Sequence, residues 1–450
     1  MELYNNKEYE EAFAYLMDLA EVGNGTAQYN ISLMYSKGEG VAKDPVQAYA
    51  WTRMAADTLK NEAYAKSAEE MLNSLSAADR KTAVDLALEL TTRLGSEALK
   101  DTLYPRPLSD EECSQEVAPI TRTKINYPID LLYKGAMGSV ETDYTISPQG
   151  YVRDLIVTSS AHPSFVQSVI KALPGYRYAP RITNNAAVPA HGHTARFVFQ
   201  IGNASKAIGT RKIRKRLSSA KKKAEQGDMI EQYRYATLLD DYNQFKSYLR
   251  GINLEYQEAN KWLLSSASAG HTNAQFELGR NMIEGRGCEV NEPAGLKWIN
   301  AAAAGGNAPA QHFLAQDLIS DSDEQQYRAA VKWLKSSVVL NSYYPSQLML
   351  AWEYSTSVSE DVRNGPAALE LLKNKPDGFH DEVRVLETEA AAYAEAGDFE
   401  QAVEKQKSAI TTAENLGWEI PELHARLDNY QAGKPWRGEY FQVVAQETGM

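Results

Sequence analysis

Gly138-Ser139-Val140-Glu141-Thr142-Asp143-Tyr144-Thr145-Ile146, then Ser147-Pro148-Gln149-Gly150, then Tyr151-Val152-Arg153-Asp154-Leu155-Ile156-Val157-Thr158 interrupts a chain otherwise patterned as helix. Val140, Thr142, Tyr144 and Ile146 alternate with Glu141, Asp143 and Thr145, the period of two that marks a half-buried strand. Pro148 is pre-set for the second position of a turn and Gly150 suits the fourth, so the chain reverses there. Residues 151–158 return as a second strand. Pro163 suits a first helical position, and Phe165, Val166, Val169, Ile170 and Leu173 form an apolar stripe at helical spacing. Pro174-Gly175 stops that helix, and residues 194–201 read as a third strand. The stretch is therefore a small α+β module of order strand-strand-helix-strand.

On both sides of this module the sequence repeats itself. Gln275, Gln311 and Gln347 stand 36 residues apart, and Trp262, Trp298 and Trp333 follow at 36 and 35. Gly23, Gly227, Gly270 and Gly306 each precede a glutamine (Gln28, Gln232, Gln275, Gln311) by five positions. A fixed period of this length is the mark of stacked supersecondary units. Each unit reads as a helix hairpin. Gly38-Glu39-Gly40 and Gly285-Arg286-Gly287 turn the chain where φ must be positive, and Pro45 and Pro293 open the second helix. Ala48, Ala259 and Ala330, three positions before a tryptophan, let paired helices approach while the indole fills the groove between units. The Gln232 unit carries extra residues, expected around 247–253. Such hairpins bury their apolar faces by stacking into a solenoid.

Tyr127-Pro128, Gly138, Val140, Tyr144, Ile146, Pro148, Gly150 and Val152, then Tyr176-Arg177-Tyr178-Ala179-Pro180 and Phe197-Val198-Phe199, resemble the C-terminal domain of TonB, the periplasmic energy transducer of Gram-negative bacteria. Tyr176 stands where that family usually has tryptophan. The flanking hairpins resemble the SEL-one-like repeat family, a relative of the tetratricopeptide repeat. Leu386, Ala390, Tyr393, Gly397, Phe399, Ala402 and Ala409 drift toward the tetratricopeptide form. The expected fold is mainly α, with helical-hairpin solenoid repeats in two arrays and the α+β module between them. The expected segments are repeats with capping helices over 1–105, a linker over 106–118 and the TonB-like domain over 119–202. A basic helical linker covers 203–226, repeats 227–378, a tetratricopeptide-like pair and cap 379–433, and a tail 434–450.

The resemblance implies strand addition, in which a sheet edge accepts an extended peptide as a further strand. In the family the partner is the N-terminal box of an outer-membrane transporter's plug, and the third strand is the pairing edge. The peptide-binding residues expected on that basis are Lys124, Tyr127, Pro128, Thr194, Ala195, Arg196, Phe197, Val198 and Phe199. Solenoids of this kind usually bind peptides or proteins. The function expected is a non-enzymatic periplasmic protein-binding component of TonB-dependent uptake. The alternative is a repeat scaffold with no energy-transducing role.

The net charge of −12 argues against nucleic acid as a partner, because phosphate neutralisation needs a basic face. Nine basic residues from Lys206 to Lys223 dissent, read either as a contact to anionic groups or as the solvated face of a connecting helix. Cys113 and Cys288 make neither a disulfide framework nor a metal site. His191-Gly192-His193 is a pair that a strand could point to one side, but no third ligand lies nearby. No catalytic constellation, cofactor motif or metal site emerges. No apolar run approaches the ~18 residues of a spanning helix. Tyr15 and Ala12 align with the second helix of a unit, which places the expected start, and a signal peptide, upstream of Met1. A cytoplasmic scaffold follows instead if Met1 is the true start.

Overall fold

The computed structural model describes residues 2–107, 118–200, 210–243, 256–319, 323–341, 343–373, 375–441 and 444–445. The chain divides into two compact units, one of residues 1–115 and 206–311, the other of residues 116–205 and 312–450. Extra residues expected at 247–253, Lys206 and Cys113 lie outside the described residues.

The first unit is built of helix hairpins. Helix Gly25–Lys37 starts at Asn24, whose side chain accepts from Ala27 N at 3.0 Å, and ends at Gly38 in the left-handed region. Asp44 then caps helix Pro45–Leu59 by accepting from the Val46 and Gln47 N–H groups. Thr272–Glu284 and Glu292–Ala304 repeat this pattern, with Gly285 ending the first and Asn291 capping the second. The repeated glutamines have a shared task. Gln28, Gln275 and Gln311 each donate from Nε2 to the carbonyl eight residues upstream, at 3.4, 3.1 and 3.0 Å. Each thereby ties its own helix to a carbonyl at the end of the preceding one, which also accepts from the N–H of the glycine three residues on.

Trp51 and Trp298 are buried as expected, whereas Trp262 and Trp333 are only half-buried. Trp298 Nε1 donates to Leu103 O at 3.0 Å, so the capping helix Ser96–Leu103 shares a core with the Gln275 hairpin. Gly295 takes the place that alanine holds before Trp51, Trp262 and Trp333. A Cβ built on Gly279 would lie 2.6 Å from Gly295 O, and the reverse holds equally, so these two helices meet backbone to backbone. Helix Thr210–Ala224 buries Ile213, Leu217 and Ala224 against Tyr235, Leu238 and Leu239 and exposes Arg211, Lys215, Arg216 and Lys221 to Lys223.

The second unit contains the sheet. Strand β1 (Gly138–Ile146) lies at the centre, with β2 (Val152–Ser160) antiparallel on one side and the last long strand on the other. Between them helix Pro163–Ala172 covers one face, burying Phe165 and Val169 against Val140, Tyr144 and Ile146. A short hairpin of β3 (Arg181–Thr183) and β4 (Ala186–Val188) precedes β5 (Ala190–Phe199). The third long strand thus begins four residues earlier than the sequence reading and ends at Phe199. The hairpin turns on Asn184 and Asn185, both at positive φ (51° and 61°), a turn signal hidden by strands of only three residues. Beyond the sheet, helices Glu382–Glu395 and Phe399–Asn415 form the last hairpin, burying Ala390, Ala402 and Ala409. Residues 444–445, strand β6, pair with β4.

Candidate protein-binding site

The two outer strands of the sheet have different surroundings. On the far side of β2, Val157 N donates to Gly378 O at 3.1 Å and His380 N donates to Leu155 O at 2.8 Å, with Ile156 and Phe379 bridged between. The chain itself closes this edge. Strand β5 is the opposite edge, and among the described strands it pairs with β1 alone.

A buried charge cluster fixes β2 to the helices behind it. Arg153 Nε donates to Asp381 Oδ2 at 2.7 Å and Arg153 Nη2 to Glu387 Oε1 at 2.8 Å, all three side chains almost wholly buried. Arg426 also pairs with Glu387 and donates to Tyr440 O at 2.7 Å. Asp381 doubles as the N-cap of helix Glu382–Glu395, accepting from Arg384 N at 2.8 Å. Asp154 N donates to the same carboxylate at 2.9 Å, from a residue held at φ 54°. At the other end of the sheet, Trp418 Nε1 donates to Pro174 O at 2.8 Å and stacks on Tyr151, with ring centroids 5.5 Å apart. The module is therefore bolted through β2, while the start of β5 also meets this body, the His191 ring lying 6.1 Å from the Phe441 ring and Gly192 beside Phe313.

Of the expected binding residues, Phe197 and Phe199 point into the core with Val140, opposite the face that carries Arg196 and Val198. Arg196 pairs across the strands with Glu141, and Val198 is 37% exposed. Thr194 stands opposite Asp143, and Ala195 O accepts from Thr142 Oγ1 at 3.1 Å. Tyr127 joins this end of β5 through edge contacts to Phe165 and Phe199, both at 5.6 Å. Pro128 caps the short helix Ile129–Tyr133, and Lys124 is exposed. The segment before Lys124 runs beside Arg177, not along β5: Thr121 N donates to Arg177 O and Arg177 N returns the bond at 3.0 Å.

The histidine pair does not share one side. Gly192, at φ 66°, breaks the alternation of β5. His193 packs between Tyr144 and Tyr178 in the core, while His191 Nδ1 lies 3.2 Å from Thr145 Oγ1 on the other face. Among the described residues no group of three potential ligands could hold a metal. Sequence reasoning missed the segment 378–380 and the Arg153 cluster. Arg384 and Glu387 are charged residues of a helix, and no local pattern marks them as buried.

A solenoid of helix hairpins carrying a small α+β module defines a helical-repeat protein built for protein interaction. The family described as Gram-negative bacterial TonB protein C-terminal matches residues 123–201, and Sel1 repeats match residues 25–57, 232–271, 272–307 and 308–338. No curated protein matches the chain. Two solved structures are similar at 16% identity and a TM-score of 0.29. One is a Sel1 repeat protein from Oxalobacter formigenes, covering 82% of this chain and 94% of that one. The other is a protective antigen of uropathogenic Escherichia coli with an SLR fold, covering 93% and 82%. Both matched families are protein-interaction folds, and no helix among the described residues is long and apolar enough to cross a membrane.

Proposed function

We propose that the chain is a non-enzymatic, periplasmic protein-binding component of TonB-dependent outer-membrane uptake, in which β5 accepts an extended peptide of a transporter plug as a further strand. The observation that carries this reading is the asymmetry of the sheet. Its β2 edge is closed by residues 378–380, while among the described strands β5 pairs with β1 alone. Backbone pairing there supplies affinity, and the alternating side chains supply selectivity. Val198 lies on the outer face, and Phe197 and Phe199 hold the strand on the core. The TonB-type domain in this chain supports a periplasmic setting and a transporter as partner.

A photo-crosslinking residue at Val198 of the full chain, expressed in a Gram-negative periplasm, tests this. Plug segments of transporters crosslinked at Val198, and absent when the crosslinker stands at exposed Leu88, are the expected result. Crosslinks at Val198 to other extended segments, without any plug, favour a scaffold that has no role in energy transfer.

A further inference from the structure

A cavity of about 490 Å³ lies in the second unit, within the ~300–1,000 Å³ range of small-molecule sites. Leu348, Met349, Phe379 and Phe441 give it apolar walls, and Glu353, Glu439 and Gln316 stand in the same lining. Glu353 is 8% exposed. Its Oε2 accepts from the Tyr327 hydroxyl at 2.9 Å, and its Oε1 has no hydrogen-bond partner among the described residues. Gln316 is 7% exposed, and its side-chain amide has no partner among the described residues either. Polar groups buried to this degree are rarely left unmet.

We propose that this cavity binds an organic cation, an ammonium on an apolar body, which pairs with the Glu353 and Glu439 carboxylates. The charge inventory selects the cation. Among the other charged groups of the lining, Arg384 is paired with Asp154 at 3.3 Å and Glu324 with Arg328 at 2.9 Å. Asp323 accepts from the Gln325 and Gln326 N–H groups. Glu353 and Glu439 have no ion-pair partner among the described residues. His191 and His312, also in the lining, are held neutral by burial, at about 4 and about 3, so neither supplies the missing charge. Glu439 raises the Glu353 carboxyl, so the two acids repel, and a cation beside them removes that repulsion. An ammonium carries three donors, enough for Glu353 Oε1 and for the Gln316 carbonyl oxygen as well. Aromatic and aliphatic walls then take the apolar body. The ammonium belongs to a small amine or to a lysine side chain of a bound peptide. This inference stands apart from the strand edge and does not depend on it.

Calorimetric titration of the full chain with 3-phenylpropylamine, its neutral counterpart 3-phenylpropanol and a capped phenylalanyl-lysine dipeptide tests the proposal. The buffer is kept above about pH 7, where Glu353 is ionised. The expected result is binding of at least one ammonium probe, with the alcohol weaker by about tenfold or more. A tighter dipeptide assigns the ammonium to a peptide side chain, and a tighter free amine assigns it to a small molecule. Glu353→Gln keeps the shape of the site and an acceptor for Tyr327 while removing the charge, and it weakens ammonium binding by about tenfold or more. Glu439→Gln, in a segment outside the helices and strands, weakens it in the same direction with the urea midpoint unchanged. Equal binding of ammonium and alcohol, ammonium binding that either folded variant leaves unchanged, or no binding of any of these probes overturns the proposal.

Discussion

Arg153 Nε donates to Asp381 Oδ2 at 2.7 Å, joining the second strand of the sheet to the cap of a helix 228 residues further along the chain. The bond holds the sheet by its second strand, and among the described strands β5, at the other side, pairs with β1 alone. Arg153→Met leaves the Asp381 carboxylate buried without its cation, and Glu387 with Arg426 alone, at a cost of about 3–5 kcal/mol. Urea unfolding of the second unit's transition measures it. A double-mutant cycle with Asp381→Asn shows a coupling well above that of an exposed pair.

Gln275 stands for the repeat signature. Its amide donates to Ala267 O from a buried position. Gln275→Ala removes that bond, with Ala267 O keeping the Gly270 N–H, and destabilises the first unit by about 0.5–1.5 kcal/mol. The thermal midpoint of the first unit falls accordingly, while that of the second holds.

Gly279 separates two opposing effects. Helix propensity alone favours Gly279→Ala by about 1 kcal/mol. The added Cβ would lie 2.6 Å from Gly295 O, a backbone atom that cannot swing aside. The clash wins, and Gly279→Ala lowers stability by about 1–3 kcal/mol, as overpacking does. A rise in the denaturation midpoint would contradict the close helix contact.

The hairpin units were legible because their cause is local. A five-residue step from glycine to glutamine places the amide on the preceding helix end, and Gly38 and Gly285 turn the chain at positive φ. The strands β1 and β2 and the helix after Pro163 were equally legible from periodicity and proline. The β3–β4 hairpin escaped because three residues carry no period, although Asn184-Asn185 marked its turn. The charge cluster and the cavity were not legible at all. Arg153 meets Asp381 and Glu387 only through tertiary packing, and each residue alone looks like any charged residue on an amphipathic element.

Glu353 gives a pH prediction. Burial raises its carboxyl to about 7, against smaller opposing effects of the Tyr327 hydroxyl, which donates to it at 2.9 Å, and of Arg384; Glu439 adds to the rise. The folded state holds this proton more tightly than the unfolded state. The group's stabilising contribution is therefore present at low pH and lost as pH rises from the ordinary carboxylate range to about 7. His191 and His312, lowered by burial to about 4 and about 3, act in the opposite direction below their ordinary range. A difference measurement removes them. Glu353→Gln gains stability relative to the parent chain as pH rises through that window, and the gap is constant above it. Urea midpoints of both proteins across the window check this, and a gap independent of pH would contradict it.

The central claim is that β5 receives a peptide strand. Hydrogen–deuterium exchange of the full chain, with and without a synthetic peptide of a transporter plug's N-terminal box, tests it most directly. The account predicts that amides at 195–199 slow by about tenfold or more on binding, while those of β2, already covered by residues 378–380, do not change. Peptide binding that protects only the repeat helices, with exchange at 195–199 unaltered, would contradict it.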